Sequence, residues 1–356
     1  NLARVDYDGT ASSLLVEPMR TNLITYSEAF DNAYWTKSGA SVTSGFTSPD
    51  GTDNAFKLVE DTSNGVHRIG KATFTANVER TLSIFAKKGE REYISLFENN
   101  TTSPSVKGVI FNLNNGTYYN NNDTYYTNVK IELISNGWYR CSATMTNGGL
   151  QVPSFGVSAD GLTNSYQGDG VSGVYIYGGS LEVGSYPTSY IPTDGGTVTR
   201  VQDQYSKTGI SNLINSEEGV LFVEMASFGT GSATQYISIT NGVSSSYGLR
   251  ILYHTNGSVY FQKYVNGTRT TNLATSSITI TDFNKLAIRY NSTTVDVWAN
   301  GVEILTNADT NVIPSGTLNR LGLDIADELN PFFGKVKQLQ VFKTALTDTE
   351  LATLTT

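Results

Sequence analysis

The chemistry open to this chain is carried by aromatic and amide side chains more than by titratable ones. The stretch Tyr118-Tyr119-Asn120-Asn121-Asn122-Asp123-Thr124-Tyr125-Tyr126 alternates rings with amides and turn formers. Sugar rings present apolar C–H faces that stack on Tyr and Trp, and hydroxyls that pair with Asn, Asp and Thr. Tyr119, Tyr125 and Tyr126 are therefore read as stacking residues, and Asp123 as a hydroxyl partner. A hairpin capped by tyrosines accounts for the same residues equally well. Trp35 ends the polar run after Asp31-Asn32 and is a further stacking candidate, in loop or core. Trp298 with Asp296 is the counterpart late in the chain. Trp138 follows Asn136-Gly137 and opens an apolar strand, which favours the core.

Catalytic constellations are sparse. Glycoside hydrolases use paired carboxylates, and on sandwich sheets these alternate along one strand. Glu90, Glu92 and Glu98 share parity, but no Asp is interleaved and the turn-like Lys87-Lys88-Gly89 precedes them. Asp324, Asp327 and Glu328 form an acidic cluster before Pro331 that reads first as a solvated loop. No Gly-x-Ser-x-Gly elbow occurs, and Gly178-Gly179 and Gly195-Gly196 lack the Lys of a phosphate loop. His67 and His254 are the only histidines; they are read as surface or turn residues, and zinc is not expected. Asp50-Gly51-Thr52-Asp53 is either a turn or half of a calcium loop. No cofactor is expected; calcium stays open without a specific motif.

The elements that must position these residues are strands. Of 356 residues 34 are Gly, 21 Tyr and 15 Phe, with only 16% charged, a vocabulary of pleated surfaces and turns. The 24 basic and 32 acidic residues give a net charge of −8. There is no basic run for nucleic acid, and no apolar run of the roughly 18 residues that membrane insertion requires. The single Cys141 excludes an internal disulfide and reads as a small core residue. A chain opening at Asn1 without Met suggests an excised fragment of something longer.

Short apolar segments separated by turns run from Asn22 to about Ile191, among them Arg80 to Ala86, Trp138 to Met145 and Gly173 to Leu181. This spacing predicts an antiparallel sandwich. Residues 1–20 read as an N-terminal arm or strand, 21–192 as the first domain, 193–215 as a linker and 216–356 as the second domain. In the second, Asn256-Gly257, Asn266-Gly267 and Asn300-Gly301 predict type I′ hairpins. Alternation puts Val295 and Val297 on one face, Asp296 and Trp298 on the other. Thr347 and Glu350 form a capping box, flanked by Leu346 and Leu351 as a staple, for a short C-terminal helix on this sandwich.

Three stretches carry a resemblance. Asn22-Leu23-Ile24-Thr25-Tyr26-Ser27-Glu28 through Trp35 resembles the opening of phage tail and fibre modules. Asn136-Gly137-Trp138-Tyr139-Arg140-Cys141-Ser142 resembles their central strand. Tyr175 through Thr193, containing Tyr186-Pro187-Thr188-Ser189-Tyr190-Ile191-Pro192-Thr193 and followed by Val198-Thr199-Arg200, resembles their close. The module is also similar in outline to jelly-roll carbohydrate-binding modules. Where those carry a late-strand Asp pair at a structural calcium, this chain has Gly178-Gly179. Glu218 to Glu224, Asn284 to Tyr290 with Val297 to Val302, and Val336 to Leu351 resemble a laminin-G/concanavalin A-like domain.

The expected fold class is all-β: two antiparallel sandwiches, jelly roll then concanavalin A-like/laminin-G-like, with a short C-terminal helix. The resemblances imply a non-catalytic phage virion protein, in a tail fibre or appendage exposed on the particle. Its expected partners are host-surface polysaccharide or glycan, other virion proteins and its own copies in a homotrimer, without nucleic acid or membrane insertion. An architectural decoration or connector protein and a polysaccharide depolymerase or lyase are the alternative readings.

Overall fold

The computed structural model describes residues 3–8, 11–71, 74–75, 78–99, 108–120, 124–145, 150–229, 233–326 and 328–356. The fold is all-β, and every strand-to-strand ladder among the described residues is antiparallel. The chain divides into two units: Met19–Val201, and Asn1–Pro18 together with Gln202–Thr356.

The unit Met19–Val201 is a jelly-roll sandwich. One sheet runs in the order Tyr126–Ser135, Trp138–Met145, Arg80–Lys88, Gly173–Val183, Ala55–Glu60, Ala40–Phe46. The other runs Thr117–Asn120, Gly108–Asn112, Tyr93–Asn99, Leu150–Ser158, Arg68–Gly70, Thr36–Ser38, with Phe74–Thr75 also on Leu150–Ser158. Alternating residues of both sheets, including Leu82, Ile84, Ile94, Leu96, Phe155 and Cys141, fill the space between.

The stretches that resemble phage modules are what tie this sandwich shut. Asn22, fully buried, donates to the carbonyls of Gly179 and Ile191 and accepts from the amides of Ile24 and Leu181. Glu182 accepts from the Thr188 amide at 2.7 Å and hydroxyl at 2.8 Å, and Arg140 donates to the Thr188 carbonyl at 2.6 Å. Burial pushes the Glu182 carboxyl above its ordinary range, against those hydrogen bonds. Gly178 has φ +61, and a Cβ there would meet the rings of Phe85 and Tyr190 at 3.0 and 3.1 Å. Only glycine satisfies both demands.

The other unit is a second sandwich. Its seven-stranded sheet runs Arg4–Asp8, Ala11–Val16, Gly334–Phe342, Gly219–Ser227, Asn284–Tyr290, Thr294–Ala299, Val302–Ala308. Its six-stranded sheet runs Ser206–Thr208, Arg320–Gly322, Gln235–Thr240, Gly248–Tyr253, Val259–Val265, Thr268–Thr275. The N-terminal residues thus form a hairpin whose second strand pairs with Gly334–Phe342. The segment expected as a linker holds Val198–Arg200, on Arg20–Asn22, and Ser206–Thr208, on Arg320–Gly322.

Asn266-Gly267 and Asn300-Gly301 have positive φ at both residues, as a type I′ turn requires. Asn256 does not: the His254 and Ser258 ends close a longer loop in which only Gly257 is left-handed. Helix Asp348–Thr355 starts at Thr347 with both capping-box hydrogen bonds made, and Leu351 is buried on Val220, Phe222 and Ala287.

Candidate functional site

The closing stretch of the jelly roll docks along the opening one: Ser27 N–H donates to Thr193 O, and Gly195 N–H to Thr25 O. This brings Glu28 and Asp194 to one rim, where the Ser48–Thr52 turn delivers Asp53 and Asn54. Together they line a cleft of about 500 Å³. Its polar wall holds Glu28, Asp31, Asp53, Asp194 and Asn54; Ala29, Phe56 and Pro192 supply apolar surface. No Lys, Arg or His side chain lines it.

One of these carboxylates, Glu28, is held in place by two phenols. Tyr177 Oη stands 2.9 Å from Glu28 Oε1 and 3.0 Å from Asp50 Oδ2. Tyr190 Oη is 3.1 Å from the same Glu28 oxygen and 2.6 Å from Ser27 Oγ. Burial, and then Glu28 and Asp50, push the Tyr177 phenol well above its usual range; burial foremost does the same to Tyr190. Both remain hydrogen-bond donors at any physiological pH. Ser48 and Thr52 hold the exposed Asp50 carboxyl well below the usual carboxylate range. Asn54 Nδ2 leans toward Glu28 Oε2 at 3.4 Å, and its buried Oδ1 has no hydrogen-bond partner. The cleft therefore offers carboxylate acceptors, with Glu28 fixed among them, and a small apolar patch. Such a surface suits hydroxyl-rich or cationic ligands and repels anions.

Asp50-Gly51-Thr52-Asp53 is a turn, with Asp50 accepting from Ser48 and Thr52. Among the described residues no group of three or more His, Cys, Asp or Glu side chains could hold a metal ion. Nor is any helix among them long and apolar enough to cross a membrane.

The residues expected to stack on ligand do not converge. Trp35 is 3% exposed, packed on Phe30, Tyr34 and Phe155, with Nε1 donating to Tyr26 O at 2.9 Å. It is a core residue, because its indole N–H finds a carbonyl inside. Tyr126 is buried, and Tyr125 packs half-buried against the same core, the rings 4.9 Å apart edge to face. Tyr119 is 44% exposed on the edge strand Thr117–Asn120. Asp123 lies outside the described residues.

In the second sandwich Asp296 and Trp298 do share a face, but the C-terminal helix covers Trp298 and Arg289 engages Asp296 at 2.8 Å. Thr294 and Thr306 donate to the same carboxylate, leaving neither residue open to ligand. Asp324 is likewise occupied, held by Arg320 through two hydrogen bonds of 2.6 Å. His67 is not a surface residue: it is fully buried, with ring nitrogens at Gly39 O and Tyr166 O.

Residues 221–352 match the concanavalin A-like lectin/glucanases superfamily.

Among solved structures, the chain is similar to the CBM40 module of the Ruminococcus gnavus IT-sialidase bound to alpha2,3 sialyllactose. Identity there is 19% over 39% of this chain and 83% of that one, with a TM-score of 0.32. It is similar to domain 4 of AbnA, a GH43 extracellular arabinanase from Geobacillus stearothermophilus in complex with arabinotriose. That match has 14% identity over 48% and 83% of the two chains, with a TM-score of 0.36. Mouse laminin alpha1 chain domains LG4-5 match at 8% identity over 79% and 86%, with a TM-score of 0.26. No curated protein matches the chain.

The cleft was partly readable. Glu28, Asp31 and Thr193 sit within the opening and closing stretches, and Asp53 within the Asp50-to-Asp53 run, but nothing in the sequence singles out Asn54 or Asp194 as site residues. Their meeting depends on long-range docking of residue 27 on residue 193, which no local signal announces.

Proposed function

We propose that this chain is a non-catalytic phage virion protein, of tail-fibre or appendage type, that attaches to host-surface glycan through the cleft of Met19–Val201. The observation that carries this is the cleft itself: carboxylates and an amide beside apolar Ala29, Phe56 and Pro192, without a basic side chain. Hydroxyls of a neutral or amine-bearing sugar meet acceptors there, and its C–H face meets Phe56 and Pro192. The phage-type opening and closing stretches supply Glu28 and Pro192 to that wall, and the second sandwich matches a superfamily that includes lectins. The open cleft implies modest affinity per site, so attachment draws on several copies, as in a trimer.

The test is a glycan array, with purified host polysaccharide included, run with and without chelator. Retention of neutral or amino-sugar glycans is expected, and the double variant Asp53→Asn/Asp194→Asn should weaken it at least about tenfold with an unchanged thermal transition. Equal retention by the double variant would overturn the site; an empty array would favour the architectural reading. That alternative has its own support in Leu133 and Ile134, 65% and 47% exposed on the edge strand Tyr126–Ser135, a surface suited to another virion protein.

A further inference from the structure

The six-stranded sheet of the second sandwich carries, on the face turned from its core, a cation without an acidic partner among the described residues. Leu249 and Ile251 point into that core, so Arg250 between them points out. Its cross-strand neighbours are Ser238 and Gln262. Arg250 is 1% exposed, and its Nε and Nη2 have no hydrogen-bond partner. The Tyr264 ring covers one face of the guanidinium at 4.0 Å. Burial foremost lowers the pKa of this guanidinium, and the neighbours acting on its charge are Tyr264, which also hydrogen-bonds it, Tyr236 and Arg269, with no carboxylate among them.

A buried guanidinium without a counter-charge is costly, and folding retains one only where something offsets it. Nε–H and Nη2–H are the parallel donors of one guanidinium edge, the fork that takes a carboxylate through two hydrogen bonds. The other unit of this chain shows that use: Arg91 holds Glu60 through Nε at 2.9 Å and Nη2 at 2.5 Å. In Arg250 the same two donors face no acceptor.

We propose that this sheet face binds an acidic saccharide by its carboxylate, gripped on the Nε/Nη2 edge of Arg250. Tyr236 and Tyr264, each half-buried, are the side chains whose rotation opens that edge, and their rings then stack on the sugar. Arg269, paired across the strands with Tyr264, adds a second positive charge. Gln262 and Asn272, hydrogen-bonded to each other at 3.0 Å, supply amides for neighbouring hydroxyls. On a chain of net charge −8, this patch selects the ligands that the acidic cleft repels, so it is a second specificity rather than an extension of the first.

Calorimetric titration of the full chain with oligomers of galacturonate, glucuronate and mannuronate tests this. The carboxyl-reduced forms of the same oligomers and inorganic phosphate serve as controls. Binding of at least one acidic oligomer is expected, weakened about tenfold or more by carboxyl reduction and equally by Arg250→Met. Arg250→Lys, which keeps the charge and loses the fork, should show the same loss and guards against a folding defect in the Met variant. Asp53→Asn/Asp194→Asn should bind the acidic oligomer like the parent, which separates this site from the cleft. The proposal is overturned if no acidic oligomer binds, if the reduced oligomer binds as well, or if both Arg250 variants bind unchanged. Phosphate displacing the oligomer at equal concentration would reduce the site to a general anion pocket and overturn the saccharide.

Discussion

Asn22 donates through Nδ2 to the Ile191 carbonyl at 2.8 Å, across 169 positions of sequence. The same side chain serves Gly179, Leu181 and Ile24, so one amide fastens the first strand of the jelly roll to its last and to the segment beyond. Asn22→Ala strands these groups in a dry interior and should cost about 3 kcal/mol or more. The midpoint of urea unfolding measures it; a shift under 1 kcal/mol would mean that water replaces the amide.

Trp35 and Tyr119 make opposite predictions. Trp35→Ala removes a buried indole and should cost about 3–5 kcal/mol in thermal or chemical denaturation. Tyr119→Ala, on an exposed edge strand, should stay within about 0.5 kcal/mol of the parent. A stable Trp35→Ala protein that had lost glycan retention would return that indole to the ligand.

Glu182 gives the fold a pH dependence of defined sign. Burial raises its carboxyl above the ordinary value, so the folded chain binds this proton more tightly than the unfolded chain. The Glu182 contribution therefore stabilises the fold as pH falls through the raised folded value, and levels off below the unfolded value of about 4.3. Glu182→Gln keeps a partner for Thr188 and removes the titration. Its stability advantage over the parent should be largest at pH 7 and shrink by pH 5, as read from denaturation midpoints at the two values.

Thr347→Ala deletes the cap of the C-terminal helix and should cost about 1 kcal/mol. Because Leu351 and Trp298 pack together under that helix, the loss should appear as faster amide exchange across 348–355 and stronger quenching of Trp298.

Elements defined by neighbours in sequence were legible. Thr347 and Glu350 lie three apart, Val295 and Asp296 alternate across one strand, and Asn300-Gly301 closes its own hairpin. The chemistry was not, because each key side chain takes its role from the strand or core it meets only on folding. Trp35 lies after a polar run that reads as loop, yet Phe155 and Tyr26 O enclose it. Asp296 looks like a hydroxyl partner until pairing with the preceding strand sets Arg289 beside it. Arg250 is one polar position in an alternating strand, where nothing local shows that its neighbours lack a carboxylate.

The pairing of Ala11–Val16 with Gly334–Phe342 sets an order of assembly during synthesis. All strands of the jelly roll are contiguous, so that unit can close once residue 201 has left the ribosome. The hairpin made earlier must keep its open edge until a strand some 320 residues later emerges. At about 5–20 residues per second that delay after the jelly roll is on the order of ten seconds. Truncation near the C-terminus should therefore spare the jelly roll while leaving the N-terminal hairpin without its mate, the state from which sticky strand edges recruit one another.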